Sequence, residues 1–308
     1  MLGSMPELPD VTVYVELLQR KLIGHRLQGI KLRSVSLLST FDPPHSAAYG
    51  KRVIGVQRQG KRIVFAFEDD LFFVLHLMRL GRLRWADPDK KAKNAAGKVL
   101  HAVFTFDSGT LYLVEMGAKK RASLHVVRGA EAVAEHDRGG LELFEIDLET
   151  FGERLRRKNH TLKRALTDPR IFSGVGNAYS DEILHAAKLS PIKLSQKLDD
   201  DEVERLYQAT LRTLAVWTDR LRVEADAKGW LEKVTAFRPE MAAHGKRGEP
   251  CPVCGAKIQR IKYADRETNY CAVCQTGGRP LADRALSRFL GKDWPKTLEE
   301  LEERRGGA

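Results

Sequence analysis

The sequence predicts a multidomain α+β protein, and three observations carry that prediction. Short apolar runs between turn residues crowd the region from about 27 to 127. Helical periodicity takes over from about 146, and all four cysteines fall between Cys251 and Cys274. A chain of 308 residues is long enough for about two domains with real cores.

In chain order, residues 10–24 are expected to form an amphipathic helix. Asp10 caps it, Tyr14, Leu17, Leu18 and Leu22 recur at helical spacing, and Gly24 ends it. Strands are expected over Leu27–Val35, Val53–Val56, Ile63–Phe67, Leu71–Leu77, Leu100–Phe106, Thr110–Val114 and Leu124–Val127, with Asp107-Ser108-Gly109 turning a hairpin. Strands at this density make a sandwich or a barrel. The lysine-rich stretch from Pro88 to Lys98 reads as a surface loop. Helices are expected over Ile146–Leu155, Leu162–Leu166, Asn177–Ala187 and Asp200–Leu221, joined by short turns as in an all-helical domain. In the tail, Thr297 and Glu300 stand at capping-box spacing.

Composition narrows the function. The net charge of +11 argues for a polyanionic partner, nucleic acid before an anionic membrane surface. The longest bare apolar run, Leu71–Leu75, is far short of a membrane span, and Glu7, Asp10, Glu16, Arg20 and Lys21 interrupt any secretory signal. A cytoplasmic, monomeric protein is the expectation.

Cys251-Pro-Val-Cys254 and Cys271-Ala-Val-Cys274 are two CxxC pairs separated by a spacer of hairpin length. Each pair can set two thiolates on one tetrahedral Zn2+, and four thiolates leave no open position, so the metal is expected to be structural. From His244 to Arg279 the basic residues outnumber the acidic ones, as suits a module that grips phosphate, whereas the tail from Leu281 is neutral.

Three strings occur in order: Met5-Pro6-Glu7-Leu8-Pro9-Asp10-Val11, then Gly174-Val175-Gly176-Asn177-Ala178-Tyr179, then Gly248-Glu249-Pro250-Cys251. Together they resemble the formamidopyrimidine-DNA glycosylase/endonuclease VIII family of base-excision repair enzymes, from about Met5 to Gln275. The resemblance implies an N-terminal β-sandwich over 5–130, a helix–two-turn–helix domain over 131–230, a zinc finger over 231–275 and a tail over 276–308. It implies double-stranded DNA with damaged bases or abasic sites as partner, bound in a cleft between domains.

The implied chemistry is base excision followed by strand cleavage. Pro6, once N-terminal, attacks C1′ of the flipped nucleotide, and Glu7 handles protons. An α-amino group has a pKa near 8, so a useful fraction is nucleophilic at neutral pH. Its iminium with the opened sugar is an electron sink for elimination, and flipping exposes C1′ at all. Lys61 matches the family's sandwich lysine, beside the phosphate or leaving group. Asn177 and Arg266 match its phosphate contacts.

The chain also departs from the family. Met1-Leu2-Gly3-Ser4 precede Met5 and would lock Pro6 in an amide; they read as a cloning remnant or a misplaced start. Where relatives commonly have His-Leu-Gly-Met-Ser-Gly, this chain has His76-Leu77-Met78-Arg79-Leu80-Gly81. In place of Arg-Arg-Phe it has Ala118-Lys119-Lys120-Arg121-Ala122. No aromatic wedge is present, and Arg79, Lys120 and Arg121 are expected to meet DNA instead. Arg222–Ala243 lacks the residues expected of a lid that grips 8-oxoguanine, and Thr12 stands where relatives carry Glu. The expected function is a DNA glycosylase with AP lyase activity. The alternative is a non-catalytic binder of damaged DNA on the same scaffold.

Overall fold

The computed structural model describes residues 5–88, 90, 97–117, 119–232, 238–263, 266–282 and 291–306. The four leading residues, most of the lysine-rich stretch, Ala118, part of the 222–243 segment and Asp265 lie outside them. Two compact units emerge, 5–140 with 215–235, and 141–214 with 236–306.

The first unit opens with helix α1, Leu8–Leu22. It starts two residues earlier than the spacing of apolar residues predicts, because Asp10 is not the N-cap. Glu7 is, and the two form a reciprocal capping box in which the Asp10 carboxylate accepts the Glu7 N–H at 2.9 Å. Pro9 sits within the first turn, where its missing N–H costs nothing. The apolar face of α1, including Val11, Tyr14 and Leu18, enters the main core.

Eight strands follow: β1 (Leu27–Leu32), β2 (Val53–Gln59), β3 (Arg62–Phe67), β4 (Leu71–His76), β5 (Gly81–Ala86), β6 (Leu100–Phe106), β7 (Gly109–Glu115) and β8 (Ser123–Arg128). They form two antiparallel four-stranded sheets, ordered β1-β6-β7-β5 and β2-β3-β4-β8. That resolves the sandwich-or-barrel alternative as a sandwich. Leu71, Phe73 and Leu75 of β4 point into the core shared with Leu83, Phe104 and Leu111 of the other sheet. The period-2 alternation therefore puts Phe72, Val74 and His76 on the outer face.

Strand β5 has no counterpart in the sequence-based expectation. Its Arg-Leu-Arg-Trp core shows too little apolar alternation, and only pairing with β7 makes it a strand. Gly81 is required at its start: a Cβ there would lie 2.2 Å from the Leu77 carbonyl oxygen. The preceding turn holds Met78 at φ 53°, a left-handed conformation that favours glycine. Met78→Gly is expected to stabilise the fold by about 1 kcal/mol, read as a higher urea midpoint. A lower midpoint would mean that the Met78 thioether's contact with His76 outweighs the backbone strain.

The second unit carries α3 (Leu148–Arg156), α4 (Leu162–Thr167), α5 (Asn177–Ala186) and the first part of α6 (Asp200–Lys228), after a short α2 (Ala130–Ala134) in the first unit. Helix α6 runs a further seven residues past the predicted end at Leu221. Its continuation from Ala215 belongs to the first unit, where Arg222 makes a fork-like pair with Glu16 at 2.6–3.2 Å. Tertiary packing thus sustains a segment rich in polar residues. Beyond it, β9 (Ile258–Tyr263) and β10 (Arg266–Cys271) form an antiparallel hairpin, followed by α7 (Ala272–Thr276). At the last helix, Leu298–Gly306, Thr297 accepts the Glu300 N–H at 3.2 Å, whereas the Glu300 carboxylate accepts from Lys296 rather than Thr297.

Candidate active-site residues and zinc centre

In the first unit, Pro6 is buried directly before α1, and Glu7 and Asp10 are both 0% exposed. Two carboxyls thus meet the positive end of the helix. Behind them lies a residue the sequence did not single out. Arg82 of β5 is close enough to Asp10 and Tyr14 for their charges to act on it, although burial is the larger influence and lowers its pKa. Its guanidinium donates to the Arg79 and Gly81 carbonyls at 3.2 and 2.7 Å. Arg82 thereby fixes the 78–80 turn that presents Arg79. Only the missed strand hid it.

Lys61 occupies the β2–β3 turn, after Gly60 at φ 59°. Its charge reaches His76, whose pKa is pushed down to about 4 by burial first, then by Arg62, Lys61, Arg138 and His125. Strand register explains the cluster: Arg62 pairs with His76, and His76 with Ser123, two residues from His125. His125 in turn meets the His136 ring at 4.4 Å. Nothing in the local sequence announces this grouping, because it is made by pairing across strands.

In the 116–122 loop, Glu115 is the organiser. Its carboxylate accepts the backbone N–H groups of Arg121 and Ala122 at 2.8 and 3.2 Å, and its carbonyl accepts from the Lys120 ammonium. Arg121 is exposed, whereas Lys120 is drawn back onto the loop.

In the second unit, Gly174 takes φ 81° and Gly176 is the N-cap of α5. Asn177 is therefore the first helical residue, not the cap, and its side-chain amide has no hydrogen bond among the described residues. The backbone behind it is held: Lys163 donates to the Asn177 carbonyl and to Asp181, both at 2.6 Å. Asp181 also meets His244 at 2.8 Å and Asn269 of β10 at 3.3 Å. Burial opposes the Asp181 charge, but Lys163 and His244 outweigh it and hold the carboxyl below its ordinary value. Glu182 accepts three N–H groups, from Ala242, Ala243 and His244. Lys163, Asp181 and His244 lie too far apart in sequence to be read as one constellation. Arg266 opens β10, three residues before Asn269; its side chain lies outside the described part.

The four cysteine Sγ atoms lie within 4.8 Å of one another, with Cys251–Cys274 at 3.9 Å and Cys254–Cys271 at 3.4 Å. Tetrahedral Zn2+ with Zn–S bonds of about 2.3 Å needs S···S spacings of about 3.8 Å, so the donor set fits. Backbone N–H groups of Val253 and Cys274 point at Cys251 and Cys271 at 3.4 Å. His185 of α5, 5% exposed, places Nε2 3.2 Å from the Cys251 sulfur. An N–H donated to a ligating thiolate disperses its charge and fixes the ligand. His185→Phe is expected to speed zinc release to a chelator about tenfold, followed by a metallochromic dye. An unchanged release rate would reduce His185 to a packing residue.

Comparison with known proteins agrees with this geometry. Residues 5–119 match the formamidopyrimidine-DNA glycosylase N-terminal domain, residues 142–224 its H2TH domain, and residues 248–277 the zinc finger found in FPG and IleRS. A formamidopyrimidine-DNA glycosylase of Heliobacterium modesticaldum is 30% identical over 286 residues, covering 88% of this chain and all of that protein. A Mycobacterium tuberculosis protein described as an uncharacterised formamidopyrimidine-DNA glycosylase-like protein is 36% identical over 151 residues, 49% of this chain and 93% of that one. Among solved structures, the Lactococcus lactis FPG in complex with a FAPY-dG-containing DNA superposes with a TM-score of 0.76 at 27% identity, covering 88% of this chain and all of that one. With the zinc-finger match, the cysteine quartet is a structural zinc site. The chain is a member of the formamidopyrimidine-DNA glycosylase family.

Proposed function

We propose that this protein is a DNA repair glycosylase with AP lyase activity, acting on duplex DNA that contains damaged bases or abasic sites. The observation that carries the reading is the Pro6–Glu7 pair, held at the capped start of α1 on a chain with the family's three domains. When Pro6 is the first residue of the mature chain, its secondary amine is the nucleophile. It forms a bond to C1′ as the bond from C1′ to the base breaks, its proton leaves with the base, and Glu7 protonates the sugar ring oxygen as the C1′–O4′ bond opens to the iminium. The resulting iminium withdraws electrons, so a proton leaves C2′ and the 3′ phosphate departs as the strand is cut. Lys61 neutralises charge at the lesion, and Asn177 and Arg266 hold phosphates. The unspent amide of Asn177 and the first-turn N–H groups of α5 suit that role.

The rival reading, a protein that binds damaged DNA without cutting it, shares every one of these features except a free amine at Pro6. Incubation with duplexes carrying oxidised purines, ring-opened purines, oxidised pyrimidines or an abasic site separates them. The glycosylase nicks at the lesion; a binder only shifts the duplex. A cytoplasmic location belongs to the same reading, and no helix among the described residues is long and apolar enough to cross a membrane.

A further inference from the structure

The second unit holds a cleft of about 210 Å³ lined by Arg154, Arg157, Lys158, Asp168, Arg170 and Ile171. Four cations face one carboxylate, and that carboxylate is already engaged: Asp168 takes two parallel bonds from Arg170 at 2.9 and 3.0 Å. The Arg170 carbonyl in turn accepts from Arg154 at 3.3 Å. These contacts fix the walls. Arg157 and Lys158, both exposed, make no ion pair among the described residues, so the cleft presents two uncompensated cations.

Its size and chemistry select the occupant. Small-molecule pockets run to about 300 Å³ and above, whereas this one suits a single phosphate group with its water. No aromatic ring lines it, so it has no platform on which to stack a base. What it can hold is one link of a polyanionic backbone, and its position says which. Ile171 continues through Phe172, stacked on Phe151 of α3 at 4.6 Å, into the Gly174–Asn177 turn. The six-residue separation of Ile171 from Asn177 limits their distance to about 20 Å, roughly six base-pair steps of duplex.

We propose that this cleft is an outboard phosphate subsite, in which Arg157 and Lys158 take the DNA backbone beyond the phosphate held at Asn177. The inference rests on the DNA-binding reading above and extends it to residues outside the lesion contacts. It makes the salt dependence of duplex binding include contacts at this cleft.

The test compares the full chain with its R157A/K158A variant on a duplex carrying a central abasic-site analogue with twelve base pairs on each side. Both substitutions are on the surface, so folding is not at stake. The variant is expected to bind more weakly, with the slope of log affinity against log salt reduced by about 1.8, two contacts at about 0.9 each. An equal slope overturns the subsite. A variant that keeps the slope but loses affinity for a polyglutamate peptide overturns it in favour of an acidic protein partner. If the unaltered protein does not bind the duplex, the DNA-binding reading itself fails, which the other outcomes do not touch.

Discussion

Glu7→Gln is expected to lower base excision and strand cleavage by roughly 10²–10⁴-fold, the range for a lost general acid–base. Binding of a duplex carrying an abasic-site analogue should barely change. The way Glu7 is held makes glutamine the informative replacement. It is fully buried and is the N-cap of α1, so a replacement with a different shape would disturb the helix start as well as the chemistry. Glutamine keeps an acceptor oxygen for the capping box and the same volume, and it removes only the ability to give and take a proton. Asp10 still holds the backbone N–H of residue 7. Single-turnover excision and equilibrium binding, measured on one preparation, separate the two effects. Retained excision would move the acid–base role to another group; lost binding would mean that the cap, not the chemistry, was damaged.

Zinc removal should have the second large effect. The finger's own core consists of Cys251, Ile258 and Cys271, with Ala256 and Cys274 packed against them. Two six-residue strands around so few apolar groups cannot hold a fold without the metal. Cys254→Ser, at the most exposed ligand, is therefore expected to lose the metal and to weaken duplex binding at least tenfold, as β9 and β10 lose their register. The unaltered protein should lose zinc more readily as the pH falls, because thiolates must be free of protons to bind. Burial and then the neighbouring thiols push the Cys271 thiol up to about 11. Zinc stoichiometry and duplex affinity checked together decide the matter. A metal-free protein with unchanged affinity would show that the finger is dispensable for binding.

The cysteine quartet was fully legible because its spacing states its geometry: two knuckles and a hairpin between them are all a tetrahedral site requires. The Pro6–Glu7 start and the Gly174–Asn177 turn were legible as strings, and in the structure each opens a helix. What sequence could not give was anything made by pairing across distance. Arg82 supports the Arg79 turn only because β5 pairs with β7. His76, Arg62 and His125 meet through strand register, and Asp181 gathers Lys163, His244 and Asn269 from three separate segments. The cap of α1 was misassigned for a related reason. Asp10 is a good capping residue by type, but the backbone turn falls at Glu7, and the predicted cap moves inside its helix.

The most direct test of the central claim is borohydride trapping on a duplex with an abasic site, using a chain that begins at Pro6. Reduction freezes the iminium as a stable amine, and peptide mapping locates it. One covalent adduct is expected, at the Pro6 nitrogen. An adduct on a lysine such as Lys61, or firm binding with no adduct at all, would contradict it.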